Sequence, residues 1–157
     1  MPISDNSERL GDLAIDSFGS LDIWVNNVGG SDEKKTRTLI DTSDDTFRNQ
    51  LELNLTTAFQ GAKAAAKRMT SGGAIINISS GAGMRGSPFT GPYAAAKAGM
   101  LNMTETLAIE LAPKIRVNAV SPGPVVTEAF AEVLGADGAE EEIAATIPLG
   151  FLGTPDD

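Results

Sequence analysis

The sequence predicts an α/β fold, a partial doubly wound parallel sheet with flanking helices. Three observations carry this prediction. Short apolar runs at Leu21–Val25, Ala74–Ile78 and Ile115–Val120 are separated by longer stretches of helical periodicity, the strand–helix–strand order that makes neighbouring strands parallel. The first run alternates only weakly between apolar and polar residues, the pattern of a central strand covered on both faces. Each run also empties into an unusual segment: Asn26 to Gly30, Ser79 to Gly86, and Ser121 to Thr127. Ligands of open parallel sheets bind beyond the C-terminal strand ends, so the three segments are expected to share one crevice.

The elements follow in chain order. From Ser7, the residues Leu10, Leu13, Ala14 and Phe18 recur at helical spacing, with Asn6 or Ser7 available as cap and Gly19-Ser20 as terminator. After the first strand and the polar loop Ser31 to Thr38, Ser43 caps a second periodic stretch. It places Phe47, Leu51, Leu55, Ala58, Phe59, Ala62, Ala66 and Met69 on one broad stripe, interrupted by Asn54. Ser71-Gly72-Gly73 stops it ahead of the second strand. A glycine-rich loop from Ser79 to Pro92 leads into a long helix starting near Tyr93, with Ala96, Met100, Met103, Leu107 and Leu111 apolar and Pro113 beyond its end. Past Val120, two short acidic helices are expected at 128–134 and 139–146, separated by Gly135.

Composition narrows the chemistry. A chain of 157 residues has the size of one domain and buries roughly 68% of its unfolded surface. It contains no Cys and no His, which excludes disulfides, thiolate nucleophiles, imidazole bases and the usual zinc sites. Acid–base work falls to Tyr, Lys, Asp or Glu. Residues 1–127 hold 12 basic and 13 acidic side chains, whereas 128–157 hold no basic and 8 acidic ones. That balance disfavours a nucleic-acid partner, and no apolar run approaches the ~18 residues of a membrane span. The start, Met1-Pro2-Ile3-Ser4-Asp5, lacks the basic and apolar regions of a signal peptide, so a cytoplasmic setting is expected.

Tyr93 and Lys97 stand four residues apart on a helix, hence on one face, one turn apart. A phenol with a reference pKa near ~10 shuttles protons poorly at neutral pH, and an adjacent ammonium favours the phenolate. The same spacing also fits a plain amphipathic surface pair. Ser79 and Ser80 either bind a polar ligand or satisfy loop amides. Asn54, an amide within an apolar stripe, serves a site, ties helix to strand, or is a surface residue at the stripe edge, because a buried amide needs partners.

Together these residues resemble the short-chain dehydrogenase/reductase family, over nearly the whole chain from about Glu8. Asn26-Asn27-Val28-Gly29 is similar to its Asn-Asn-Ala-Gly motif, with Val28 at the usual Ala position. Ser80, Tyr93 and Lys97 match its serine and Tyr-x-x-x-Lys site, at an interval of thirteen residues from serine to tyrosine. Asn54 matches its catalytic asparagine, and Pro122-Gly123 with Thr127 its Pro-Gly-x-x-x-Thr pattern.

The resemblance implies a Rossmann-like domain that binds NAD or NADP and acts on a small ketone or secondary alcohol, with homo-oligomers in the complete protein. It implies Tyr93 as proton donor or acceptor, Ser80 as the hydrogen bond to the substrate oxygen, and Lys97 as the cation that assists Tyr93 and holds the nicotinamide ribose. Asn54 would position a water linking Lys97 to solvent. Asn26, Asn27, Val28 and Gly29 would contact the adenosine side, while Pro122, Gly123, Val125 and Thr127 would line the nicotinamide. Residues 124–157 would form the substrate lid. A complete member also opens with a strand and a glycine-rich phosphate turn. Nothing similar precedes Asn26, so the expectation is an incomplete domain, 1–157, short by on the order of 60 residues at ~30 per βαβ unit. Phe151 stands where the family's Pro-Leu-Gly-Arg segment has Arg. Impaired activity is expected of such a chain, with a non-catalytic assembly module as the alternative.

Overall fold

The computed structural model describes residues 3–31, 38–128, 130 and 139–157. The chain divides into two compact units, Met1–Ser121 and Pro122–Asp157.

The first unit is built on three parallel strands, β1 (Ile23–Asn26), β2 (Gly73–Ile78) and β3 (Ile115–Val120), in the spatial order β1-β2-β3. The register brings Trp24, Ile75 and Val117 side by side, and likewise Asn26, Asn77 and Ala119. Laterally paired residues share a face. One face therefore carries Trp24, Ile75 and Val117 into the core, where they meet Ala62, Ala65 and Met69. The other carries Ile23, Val25 and Val120, at least half exposed. The sequence predicts β1 as a central strand covered on both faces; among the described residues it stands at one side of the three-stranded sheet, with Ile23 and Val25 exposed.

Helix α1 (Ile3–Phe18) begins four residues before the predicted start. Its predicted stripe is also displaced, since Leu10, Leu13 and Phe18 are exposed. Gly11 is buried instead, and Ala14 and Ile15 pack on the core. The cause is the partner helix. Arg68 reaches Glu8 and Asp12, both at 2.7 Å, and Lys67 reaches Glu8 at 2.7 Å. A Cβ on Gly11 would lie 2.6 Å from the Arg68 side chain, so the glycine makes room for the guanidinium. Hydrogen bonds from Lys67 and then Arg68 hold the Glu8 carboxyl below its ordinary range.

The second predicted helix is interrupted. Ser43 caps α2 (Asp44–Leu51), accepting from the Thr46 amide at 3.2 Å, as the sequence indicates. A π turn over Glu52–Thr56 follows, and the helix resumes as α3 (Thr57–Arg68). After β2, a 3-10 turn (Gly81–Met84) leads to α4 (Gly91–Leu111), which starts two residues before Tyr93 with Pro92 in its first turn. In the second unit, α5 (Ala139–Ala144) matches the later of the two predicted acidic helices. The earlier one, 128–134, falls largely outside the described residues. Val125 and Gly153 form a parallel bridge there.

Candidate active site

The C-terminal strand ends are joined by a buried amide chain. Trp24 Nε1 donates to Asn26 Oδ1 at 2.7 Å; Asn26 Nδ2 donates to Asn77 Oδ1 at 2.8 Å and to the Ala58 carbonyl at 3.1 Å. Asn77 Nδ2 passes the chain to Thr104 Oγ1 at 2.9 Å. The Asn26 side chain is thereby spent on tying β1 to β2 and α3. Gly61 keeps this arrangement open, for a Cβ there would collide with Asn26 Oδ1.

Beyond Asn26 the chain turns outward through exposed Asn27 and Val28 to Gly29 and Gly30, both at positive φ. Asn54 grips this turn from the π segment. Its Oδ1 accepts from the Gly30 amide at 2.9 Å, and its Nδ2 donates to the Gly30 carbonyl at 3.0 Å. A Cβ on Gly29 would sit 2.5 Å from Asn54 Oδ1 and 3.4 Å from Lys97 Nζ. Asn54, Gly29 and Lys97 thus converge. Asn54 is fully buried and its amide is held between elements, as the structural-tie reading expects.

Lys97 is 4% exposed. Its ammonium donates to the Ile78 carbonyl at 2.8 Å and lies 5.6 Å from the Tyr93 ring centroid. Burial pushes its pKa below the ordinary lysine value, because desolvation disfavours the charged form. The plain surface-pair reading of Tyr93 and Lys97 is therefore excluded for the lysine, and Tyr93 is itself half-buried.

The two serines diverge. Buried Ser79 donates to the Lys97 carbonyl at 3.0 Å, fastening the end of β2 to α4. Ser80 is half-buried and caps the 3-10 turn, its hydroxyl accepting from the Ala82 amide at 3.2 Å. That turn lies directly on α4: a Cβ on Gly83 would be 2.7 Å from the Lys97 carbonyl carbon. Beside it opens an apolar groove of about 800 Å³, walled by Leu39, Met84 and Phe89 over Ala94 and Ala98. Phe89 stands at φ 67 in the turn closed by the Thr90 amide on the Ser87 carbonyl at 3.3 Å. Pro88 at the first central position and positive φ at the second define a type II turn, whose second central residue is ordinarily Gly.

Of the remaining predicted contacts, Pro122, Gly123, Val125 and Thr127 lie in the second unit. Within it, Thr127 Oγ1 accepts from the Phe130 amide at 3.2 Å and Pro124 accepts from the Gly153 amide at 3.2 Å. Gln50 is a site neighbour that the sequence reading passed over; its spacing from Asn54, one helical turn, was the available signal.

A family model described as enoyl-(acyl carrier protein) reductase matches residues 4–157. The chain belongs to the short-chain dehydrogenase/reductase family. This short-chain dehydrogenase/reductase chain is 36% identical over 157 residues to L-rhamnose 1-dehydrogenase (NAD(P)(+)) of Azotobacter vinelandii, covering 98% of itself and 60% of that protein. It is 38% identical over 157 residues to 3-oxoacyl-[acyl-carrier-protein] reductase of Synechocystis, again covering 98% and 60%. Among solved structures, a glucose/ribitol dehydrogenase of Brucella melitensis superposes with a TM-score of 0.87 at 32% identity, over 97% of this chain and 60% of the other. The structure titled ElxO with NADP bound superposes with a TM-score of 0.86 at 32% identity, over 98% and 64%. The chain therefore spans about 60% of the length of the curated relatives it matches.

Proposed function

We propose that the protein is an NAD(P)-dependent oxidoreductase that interconverts a small ketone and its secondary alcohol. The observation that carries this reading is the pairing of Tyr93 with the buried Lys97 ammonium at the C-terminal edge of a parallel sheet. Beside it stands Gly29, where a Cβ would lie 2.5 Å from Asn54 Oδ1 and 3.4 Å from Lys97 Nζ. A lysine with three donors suits the hydroxyls of a nicotinamide ribose. Lys97 would hold the nicotinamide ribose, and the backbone of Asn26, Asn27, Val28 and Gly29 would contact the adenosine side of the dinucleotide. When bound, the dinucleotide supplies or accepts the hydride.

The chain's own part is placement and proton transfer. Ser80 holds the substrate oxygen by a hydrogen bond and aims it at Tyr93. In reduction the Tyr93 hydroxyl gives its proton to that oxygen; in oxidation it takes the proton back. Lys97 supplies positive charge beside the tyrosine ring, and Asn54 orders a water that returns protons from solvent towards Lys97. The apolar groove supports a substrate that presents more hydrocarbon than charge. The complete protein is read as a cytoplasmic homo-oligomer.

Calorimetric titration with NAD(H) and NADP(H), followed by turnover on a panel of ketones and secondary alcohols, tests the reading. Saturable binding and Tyr93-dependent turnover support it; the absence of both defeats it.

A further inference from the structure

We propose that Gln50 is a positioning residue, which acts through Asn54 to hold the Gly29–Gly30 turn beside Lys97. The inference rests on the Proposed function only for its kinetic consequence. Gln50 is 2% exposed, the buried side chain of α2. Burying an amide is unfavourable unless its atoms find partners, so the location calls for a specific use. Asn54 supplies one: its Nδ2 donates to Gln50 Oε1 at 3.1 Å and to the Gln50 carbonyl at 3.1 Å.

The geometry makes this a directional lock. Both Gln50 oxygens accept hydrogen bonds, so they draw the Nδ2 side of Asn54 towards α2. The opposite corner of the same amide, Oδ1, is then turned to receive the Gly30 amide hydrogen at 2.9 Å. A rotated Asn54 amide would set oxygen against the Gln50 carbonyl and the Gly30 carbonyl together, a repulsive arrangement. The π turn enters here because Asn54 stands within Glu52–Thr56, immediately after the helix that carries Gln50. The chain of contact runs from Gln50 through Asn54 to Gly30, and next to Gly30 stands Gly29, whose Cα faces both Asn54 Oδ1 and Lys97 Nζ.

Two substitutions separate positioning from bulk. Gln50→Met keeps the volume and removes the acceptor, whereas Gln50→Glu keeps an acceptor. Amide hydrogen exchange of the labelled protein reads the turn directly and needs no activity. The expected result is about a tenfold loss of Gly30 protection in Gln50→Met relative to amides of β2, restored towards the original value in Gln50→Glu. Equal loss at Gly30 and at β2 would mean a general structural role and would overturn the proposal, as would unchanged Gly30 protection. If Gln50→Met does not fold, Asn54→Ala and the double variant Asn54→Ala/Gln50→Leu are compared instead. Identical Gly30 protection in the two supports action through Asn54; a further local loss in the double variant contradicts it. In kinetics, Gln50→Met is expected to raise the KM for the dinucleotide about tenfold, an effect that a smaller folded fraction would not produce. A dinucleotide KM unchanged in an active Gln50→Met enzyme overturns the positioning role. Turnover insensitive to Tyr93 instead defeats the Proposed function and leaves Gln50 to be judged by exchange.

Discussion

Lys97 Nζ lies 5.6 Å from the centre of the Tyr93 ring while donating to the Ile78 carbonyl at 2.8 Å. One ammonium thus joins the end of β2 to the first turns of α4, and it does so with its side chain almost wholly removed from solvent. The burial has a consequence for stability. Because the folded state holds the Lys97 pKa below its ordinary value, the unfolded chain binds more protons wherever pH lies between the two values. Stability from this residue is therefore expected to rise with pH through that window, which ends near the unfolded lysine pKa of about 10.4. Urea unfolding of the protein and of Lys97→Met from pH 7 upward checks it: the original chain should gain on the variant as pH rises. Parallel curves would show that Lys97 titrates alike in both states.

Gly29 is the glycine of the candidate site that stands beside both Asn54 and Lys97. It combines φ 155 with a position where a Cβ would be 2.5 Å from Asn54 Oδ1. Gly30 has φ 158, with open space around it. Gly29→Ala is expected to displace Asn54 and weaken dinucleotide binding by about tenfold, roughly 1.4 kcal/mol, with Gly30→Ala costing less. Calorimetry on the two variants gives the comparison, and equal affinities would deny Gly29 its place at the site.

Phe89 presents the opposite case, a bulky residue where the backbone favours glycine. A left-handed conformation costs a residue with a Cβ about 1–2 kcal/mol, and the half-exposed ring recovers little by packing. Phe89→Gly is expected to stabilise the fold by about 1 kcal/mol, less whatever the added freedom of the unfolded chain removes. A shift of the urea midpoint to higher concentration with unchanged slope is the expected reading. A lower midpoint would show that the ring contributes more than the turn costs.

Much of this was legible before any coordinates. The three strands, their parallel order and the Ser43 cap follow from apolar runs, helical spacing and local hydrogen-bonding chemistry. The last strand has the predicted bounds, Ile115–Val120. What escaped was set by tertiary partners. Nothing in the period of α1 reveals that Arg68 would claim Gly11 and turn Leu10 and Leu13 outward. The π turn was invisible because its residues, Glu52 to Thr56, keep ordinary helix composition; it registers only through Asn54 gripping Gly30. For the site, spacing brought Tyr93 and Lys97 to one helix face, yet the burial of Lys97 and the division of labour between Ser79 and Ser80 needed the fold. Gln50 was missed because a glutamine on an amphipathic helix reads as surface.

The central claim is that Tyr93 transfers the proton in a hydride-transfer enzyme. Steady-state turnover of Tyr93→Phe, with dinucleotide titration of the same variant, tests it most directly, since the substitution deletes the hydroxyl and keeps the ring. The account expects turnover to fall by about 10² to 10⁴ with dinucleotide affinity nearly unchanged. Near-normal turnover in Tyr93→Phe would contradict it.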